Sequence, residues 1–113
     1  MLGLVLVTHA PLGDAIAQCV KHVMGSLPDG LAVVDVPGDE DIEQSVQRIQ
    51  VAARQVHAGE GVVFLTDLFG ATPSNAAVRA GVESLNLPTV LVSGCNLPMV
   101  LRALGFRDLP INE

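Results

Sequence analysis

Val63-Phe64-Leu65-Thr66-Asp67-Leu68-Phe69-Gly70-Ala71-Thr72-Pro73-Ser74-Asn75 is the stretch on which the fold turns. It reads as a buried strand, an acidic residue at the strand's end, a glycine-containing turn and the start of a helix. Thr72 is the expected N-cap and Pro73 the first helical residue, where a missing N–H costs nothing. Such a start aims unpaired backbone N–H groups and a positive dipole end at whatever lies above the strand. That arrangement suits a phosphate or a carboxylate.

Outward from this stretch the same alternation repeats. Leu2 to Val7 is a continuous apolar run, the pattern of a strand covered on both faces. From Leu12 a helical stripe of Ile16, Val20 and Val23/Met24 runs to Gly25. Leu31 to Val36 is a second strand, ended by Pro37-Gly38. A second helix is expected to carry Asp39, Glu40 and Asp41 in its first turn, where the dipole favours anions. Its stripe is Ile42, Val46, Ile49, Ala53 and Val56, and it stops at Gly59. Gly61 to Thr66 is the third strand, and the helix opening at Thr72 extends to about Ser84. Pro88 to Val92 is a fourth strand, and Leu97-Pro98 begins a short helix to about Leu104. The tail from Gly105 to Glu113 is apolar enough to add an edge strand.

Strands alternating with helices predict an α/β fold: a doubly wound open sheet, mainly parallel, in the order 2-1-3-4. Strands one and three then meet at the topological switch point, where ligands bind beyond the carboxyl ends. The residues expected there are His9, just after strand one, and Asp67, just after strand three.

Composition narrows the partners. The chain has 113 residues, which bounds it to one domain spanning 1–113. Its apolar runs are far shorter than a membrane span, and the N-terminus lacks a basic region and a cleavage site, so direct membrane insertion and a signal peptide are excluded. A net charge of −6, with Lys21 as the sole lysine, argues against nucleic acid. Cys19 and Cys95 have no metal or CxxC spacing, which points to reduced thiols in a cytoplasmic protein. Neither a GxGxxG nor a Gly-Lys-Ser/Thr loop is present, so dinucleotide and P-loop nucleotide binding lack their residues; no cofactor and no metal is expected.

Asp67 can accept a hydrogen bond from one ring nitrogen of His9 and leave the other free as a nucleophile or base. The N–H groups of 72–75 and the Ser74 hydroxyl can then stabilise charge on a transferring group. The plainer reading makes Asp67, Thr72 and Ser74 ordinary turn and capping residues. His22, His57 and Arg79 read as solvated helix positions, and Asp35 as a turn residue ending strand two. Cys95 and Asn96 are near enough to line the site, but Cys95 has no activating neighbour in sequence. A hydrolase built from Ser74, His9 and Asp67 is the weaker enzyme reading, because Ser74 lacks a GxSxG elbow.

Thr8-His9 after an N-terminal strand, Val34-Asp-Val-Pro-Gly38, Leu65 to Asn75 and Gly94-Cys-Asn-Leu-Pro-Met99 together resemble one family. It is the mannose-family (mannose/fructose/sorbose) IIA domain of the bacterial phosphoenolpyruvate-dependent sugar phosphotransferase system. The motifs occur in order over nearly the whole chain. The resemblance implies a phosphotransferase in sugar transport whose His9 takes a phosphoryl group from HPr and passes it to a separate IIB protein. It further implies Asp67 as the orienting carboxylate and Gly70, Ala71, Thr72 and Ser74 as the phosphoryl-binding turn. Pro11, Leu12, Leu68 and Phe69 become an apolar docking rim, and a homodimer is expected. Gly70-Ala71 departs from the double glycine of many relatives, and the chain stops at Glu113 without a IIB domain. A stand-alone regulatory IIA protein, or a phosphoryl carrier to a dihydroxyacetone kinase, is the alternative.

Overall fold

The computed structural model describes residues 2–56, 59–68, 71–84, 88–108 and 111, with the side chains of 82–84 excepted. Eight elements alternate along the chain. They are β1 (Gly3–His9), α1 (Leu12–Met24), β2 (Leu31–Val36), α2 (Ile42–Val56), β3 (Val62–Thr66), α3 (Thr72–Ser84), β4 (Thr89–Val92) and α4 (Leu97–Gly105). The four strands form one sheet in the order β2-β1-β3-β4, with every neighbouring pair parallel. The expected order is therefore the observed one. No fifth strand joins the sheet among the described residues; residues 109–110 and 112–113 of the tail lie outside them.

The strictly alternating side chains of β1 explain why helices cover both faces. Val5 and Val7 point into one apolar cluster with Val46, Ile49 and Ala53 of α2 and Ala76, Ala77 and Ala80 of α3. Leu4 and Leu6 point the other way, into a cluster with Ile16 and Val20 of α1 and Val100 and Leu104 of α4. Burying each valine or leucine of this kind is worth roughly 1.5–3 kcal/mol, so the central strands anchor the molecule. The small alanines of α3 let that helix lie close to Phe64 of β3, a fully buried side chain.

Several expectations shift. β1 runs on through Thr8 and His9, two residues beyond its apolar stretch, because Thr8 and His9 still pair with Asp35 and Val36 of β2. Asp35 is accordingly a strand residue and not part of a turn. Asp39, Glu40 and Asp41 precede α2 instead of occupying its first turn. Asp41 caps it, its side chain accepting from the Glu43 N–H at 3.2 Å and its carbonyl from the Ser45 N–H at 3.1 Å. The stripe of α1 ends at Val20, and Val23 and Met24 are exposed. β4 alternates half-buried and exposed residues, because it is the outermost strand: Leu91 packs on the α2/α3 cluster while Val90 and Val92 remain exposed.

Candidate functional site

β1 and β3 lie side by side with Val7 opposite Thr66, so the next residues of each strand emerge together at the carboxyl edge. That register sets His9 against Asp67. A single oxygen, Asp67 Oδ2, accepts from the His9 backbone N–H at 3.1 Å and from ring Nδ1 at 2.9 Å. The histidine is held at two points, so both its main chain and its ring plane are set by one carboxylate. The ring remains 49 % exposed while the Asp67 side chain is 14 % exposed. Nδ1 is therefore the tethered nitrogen, and half of the side chain stays open to solvent.

Burial alone would push the Asp67 carboxyl upward. The hydrogen bonds from the His9 ring and backbone and the charge of His9 outweigh it, and the pKa falls below the usual 3.8. Asp67 is ionised at neutral pH, so Nδ1 must carry the proton it donates, and in the neutral ring the lone pair then belongs to Nε2. Asp67 Oδ1 and the neighbouring Thr66 hydroxyl are buried without hydrogen-bond partners among the described residues. Behind them Cys95 donates its backbone N–H to the Thr66 carbonyl at 2.9 Å. Burial first, and then the Asp67 charge, push the Cys95 thiol up, so Cys95 is neutral and unsuited to nucleophilic work.

The start of α3 follows Asp67 by a short turn. Its first helical hydrogen bond runs from the Asn75 N–H to the Ala71 carbonyl at 2.9 Å. Ala71 thus stands at the cap and Thr72 is the first helical residue, one position earlier than expected. Pro73 falls at the second, where its missing N–H is still harmless. Thr72 is exposed, whereas Ser74 is only 1 % exposed and offers little surface to a group arriving from solvent. Pro11, Leu12 and Leu68 are exposed around the site. Phe69, Gly70 and His57 lie outside the described residues. No group of three or more His, Cys, Asp or Glu residues is arranged to hold a metal among the described residues. No helix among them is long and apolar enough to cross a membrane.

The family described as PTS system fructose IIA component (EIIA-man) matches residues 3–110. The chain belongs to this family. The EIIA component of the fructose-specific system of Bacillus subtilis is 27 % identical over 108 residues, covering 96 % of this chain and 72 % of that protein. The mannose-specific EIIAB component of Escherichia coli K12 is 26 % identical over 107 residues, covering 95 % of this chain. This chain spans only 32 % of that longer relative. Among solved structures, EIIA of Streptococcus agalactiae superposes with a TM-score of 0.80 at 23 % identity, covering 99 % of this chain and 85 % of that one. The mannose/sorbose IIA subunit of Enterococcus faecalis gives 0.75 at 22 %, covering 90 % and 74 %. At such identities the structures speak to the fold, which the IIA chain shares.

Sequence reasoning passed over Asp35 and Thr8. The Thr8 hydroxyl donates to Asp35 Oδ1 at 2.7 Å, and the Gly13 and Asp14 N–H groups at the start of α1 donate to Oδ1 and Oδ2 at 2.9 and 3.0 Å. Two polar residues at the ends of apolar strands that pair in parallel were the available signal.

Proposed function

We propose that this IIA chain is a cytoplasmic, one-domain phosphoryl carrier of a sugar phosphotransferase system. It accepts a phosphoryl group on His9 Nε2 from HPr and passes it to a IIB protein. The observation that carries this reading is the double grip of Asp67 Oδ2 on a half-exposed His9, which favours the proton on Nδ1 and so leaves Nε2 as the free nitrogen of the neutral ring.

In the reaction, the Nε2 lone pair attacks the phosphorus of phosphohistidine on HPr. The new N–P bond forms as the donor's N–P bond breaks, and the donor imidazole leaves with its electron pair. The transition state is metaphosphate-like, so positioning and charge stabilisation carry most of the catalysis. As Nε2 gives up its lone pair the His9 ring becomes cationic, and the ionised Asp67 compensates that charge. The exposed Thr72 and the backbone N–H groups opening α3, with Ala71 at its cap, are the proposed cradle for the phosphoryl oxygens. Onward transfer to IIB repeats the step with the roles exchanged.

Pro11, Leu12 and Leu68, with Phe69, form the proposed apolar rim for the partner proteins. Val90 and Val92, exposed along the edge strand β4, support a homodimer that covers that edge.

Intact mass after incubation with phosphoenolpyruvate, enzyme I and HPr tests the reading. One acid-labile phosphoryl group is expected on the wild type and none on His9→Ala. No mass gain on folded wild type with an active donor would reject the carrier. A group that loads but never moves on to IIB would favour the regulatory role.

A further inference from the structure

We infer that Asp35 is a positioning residue for His9: a single carboxylate that ties down both ends of the short segment carrying the reactive histidine. The proposal rests on the carrier reading above and extends it to the face of His9 opposite Asp67.

Residues 9–12 run from the last residue of β1 to the first of α1. Immediately before them, the Thr8 hydroxyl donates to Asp35 Oδ1 at 2.7 Å. Immediately after them, the Gly13 N–H donates to the same oxygen at 2.9 Å, and the Asp14 N–H to Oδ2 at 3.0 Å. Between the two ties, the Ala10 N–H donates to the Val36 carbonyl at 3.1 Å. The main chain at His9 is thus anchored to β2 on both sides while Asp67, just after β3, holds its N–H and ring. His9 cannot shift along the sheet edge without breaking one set of bonds.

Two further observations make this a built arrangement. Pro11, at the cap of α1, contributes no side-chain capping bond, so the helix start relies on Asp35 from another strand. Position 13 also has to be glycine for the tie to close. A Cβ there would meet Asp35 Oδ1 and Thr8 Oγ1 at 2.6 Å each and Val33 Cγ1 at 2.9 Å. Thr8 is fully buried, so its hydroxyl serves this bond and has no outward role.

The tie has an electrostatic consequence as well. Two helix N-termini flank His9, and either is in principle an anion site. A carboxylate already occupies the start of α1 and repels a second anion. The phosphoryl group on His9 is therefore directed toward the start of α3.

Asp35→Asn tests the proposal, since it keeps the size but turns one acceptor into an NH2 donor facing the Asp14 N–H. Two quantities are read. The first is the rate of phosphoryl uptake against HPr concentration. The maximal rate is expected to fall about tenfold, at unchanged half-saturating HPr, as misplaced reacting groups do. The second is the tautomer of the His9 ring in unphosphorylated protein, by heteronuclear NMR. The wild type is expected to show the Nδ1–H form and the variant a mixture of both forms. Thermal unfolding reports whether Asp35→Asn folds. If it does not, the pair Thr8→Val and Thr8→Ser decides, with the valine expected to reproduce both changes in weaker form and the serine to restore both.

A wild-type tautomer and maximal rate in the folded variant would overturn the proposal. So would a change confined to half-saturating HPr, which would make Asp35 a support for docking. Should the wild type take up no phosphoryl group at all, the carrier reading fails, while the ring measurement still decides whether Asp35 positions His9.

Discussion

The starts of α1 and α3 lie on either side of His9, yet the fold treats them in opposite ways. At α1 the first N–H groups are taken up by a carboxylate from a neighbouring strand, Asp35. At α3 the equivalent carboxylate, Asp67, sits ahead of the helix and spends its one bonded oxygen on His9. One start is closed by a side chain from another strand, and the other is the one proposed above to receive the phosphoryl group. The start of α4 gives a third case, in which the local residue Asn96 accepts from the Met99 N–H at 3.0 Å. The comparison teaches that a helix N-terminus becomes an anion site by what is withheld from it. The dipole is common to all three.

The sharpest way to break the comparison is to remove the open side's carboxylate. Asp67→Ala should lower the rate of phosphoryl uptake by on the order of a hundredfold, because the ring loses both its tautomer and its orientation. Rapid-quench phosphorylation from HPr measures this, and a rate within a few-fold of wild type would remove Asp67 from the mechanism. The same carboxylate sets an acid limb on stability. Its folded pKa lies below 3.8, so its contribution is fully present above that value and disappears as pH falls through the lowered one. Melting temperatures from neutral pH to below 3.8 should fall less steeply in Asp67→Asn than in wild type.

On the closed side, Gly13→Ala forces a methyl group against Asp35 and Thr8. Overpacking of this kind costs roughly 1–3 kcal/mol, which urea unfolding resolves. A neutral outcome would mean the tie between β2 and α1 is looser than its distances imply. The smallest effect belongs to α4. Asn96→Ala removes a local cap worth about 1 kcal/mol and should leave His9 phosphorylation untouched. Unfolding and phosphorylation assays on that one variant separate capping in general from capping near the histidine.

His9 and Asp67 were legible because each follows a strongly apolar strand and the strand order places those two strands together. The same logic reached the helix start at 72–75, missing its cap by one residue, since Thr72 and Ala71 compete for a position that only the Asn75 hydrogen bond decides. Asp35 was misread as a turn residue. An aspartate before Pro37-Gly38 has the local look of a turn, and its three bonds all go to residues more than twenty positions earlier in the chain. Ser74 looked available on the exposed start of a helix, but the first turn of α3 places it in the interior.

The sequence by itself determined the alternation of strands and helices, the parallel sheet and the pair of residues at its switch point. These follow from hydrophobic period and the handedness of crossovers, which are local or nearly so. Tertiary structure alone decided which carboxylate serves which helix, because a side chain's partner across a sheet depends on register and on the room left by a single glycine. Asp35 and Asp67 are the same residue type at the ends of similar strands. Only the packing of their neighbours makes one a tie for the backbone and the other the partner of the His9 ring.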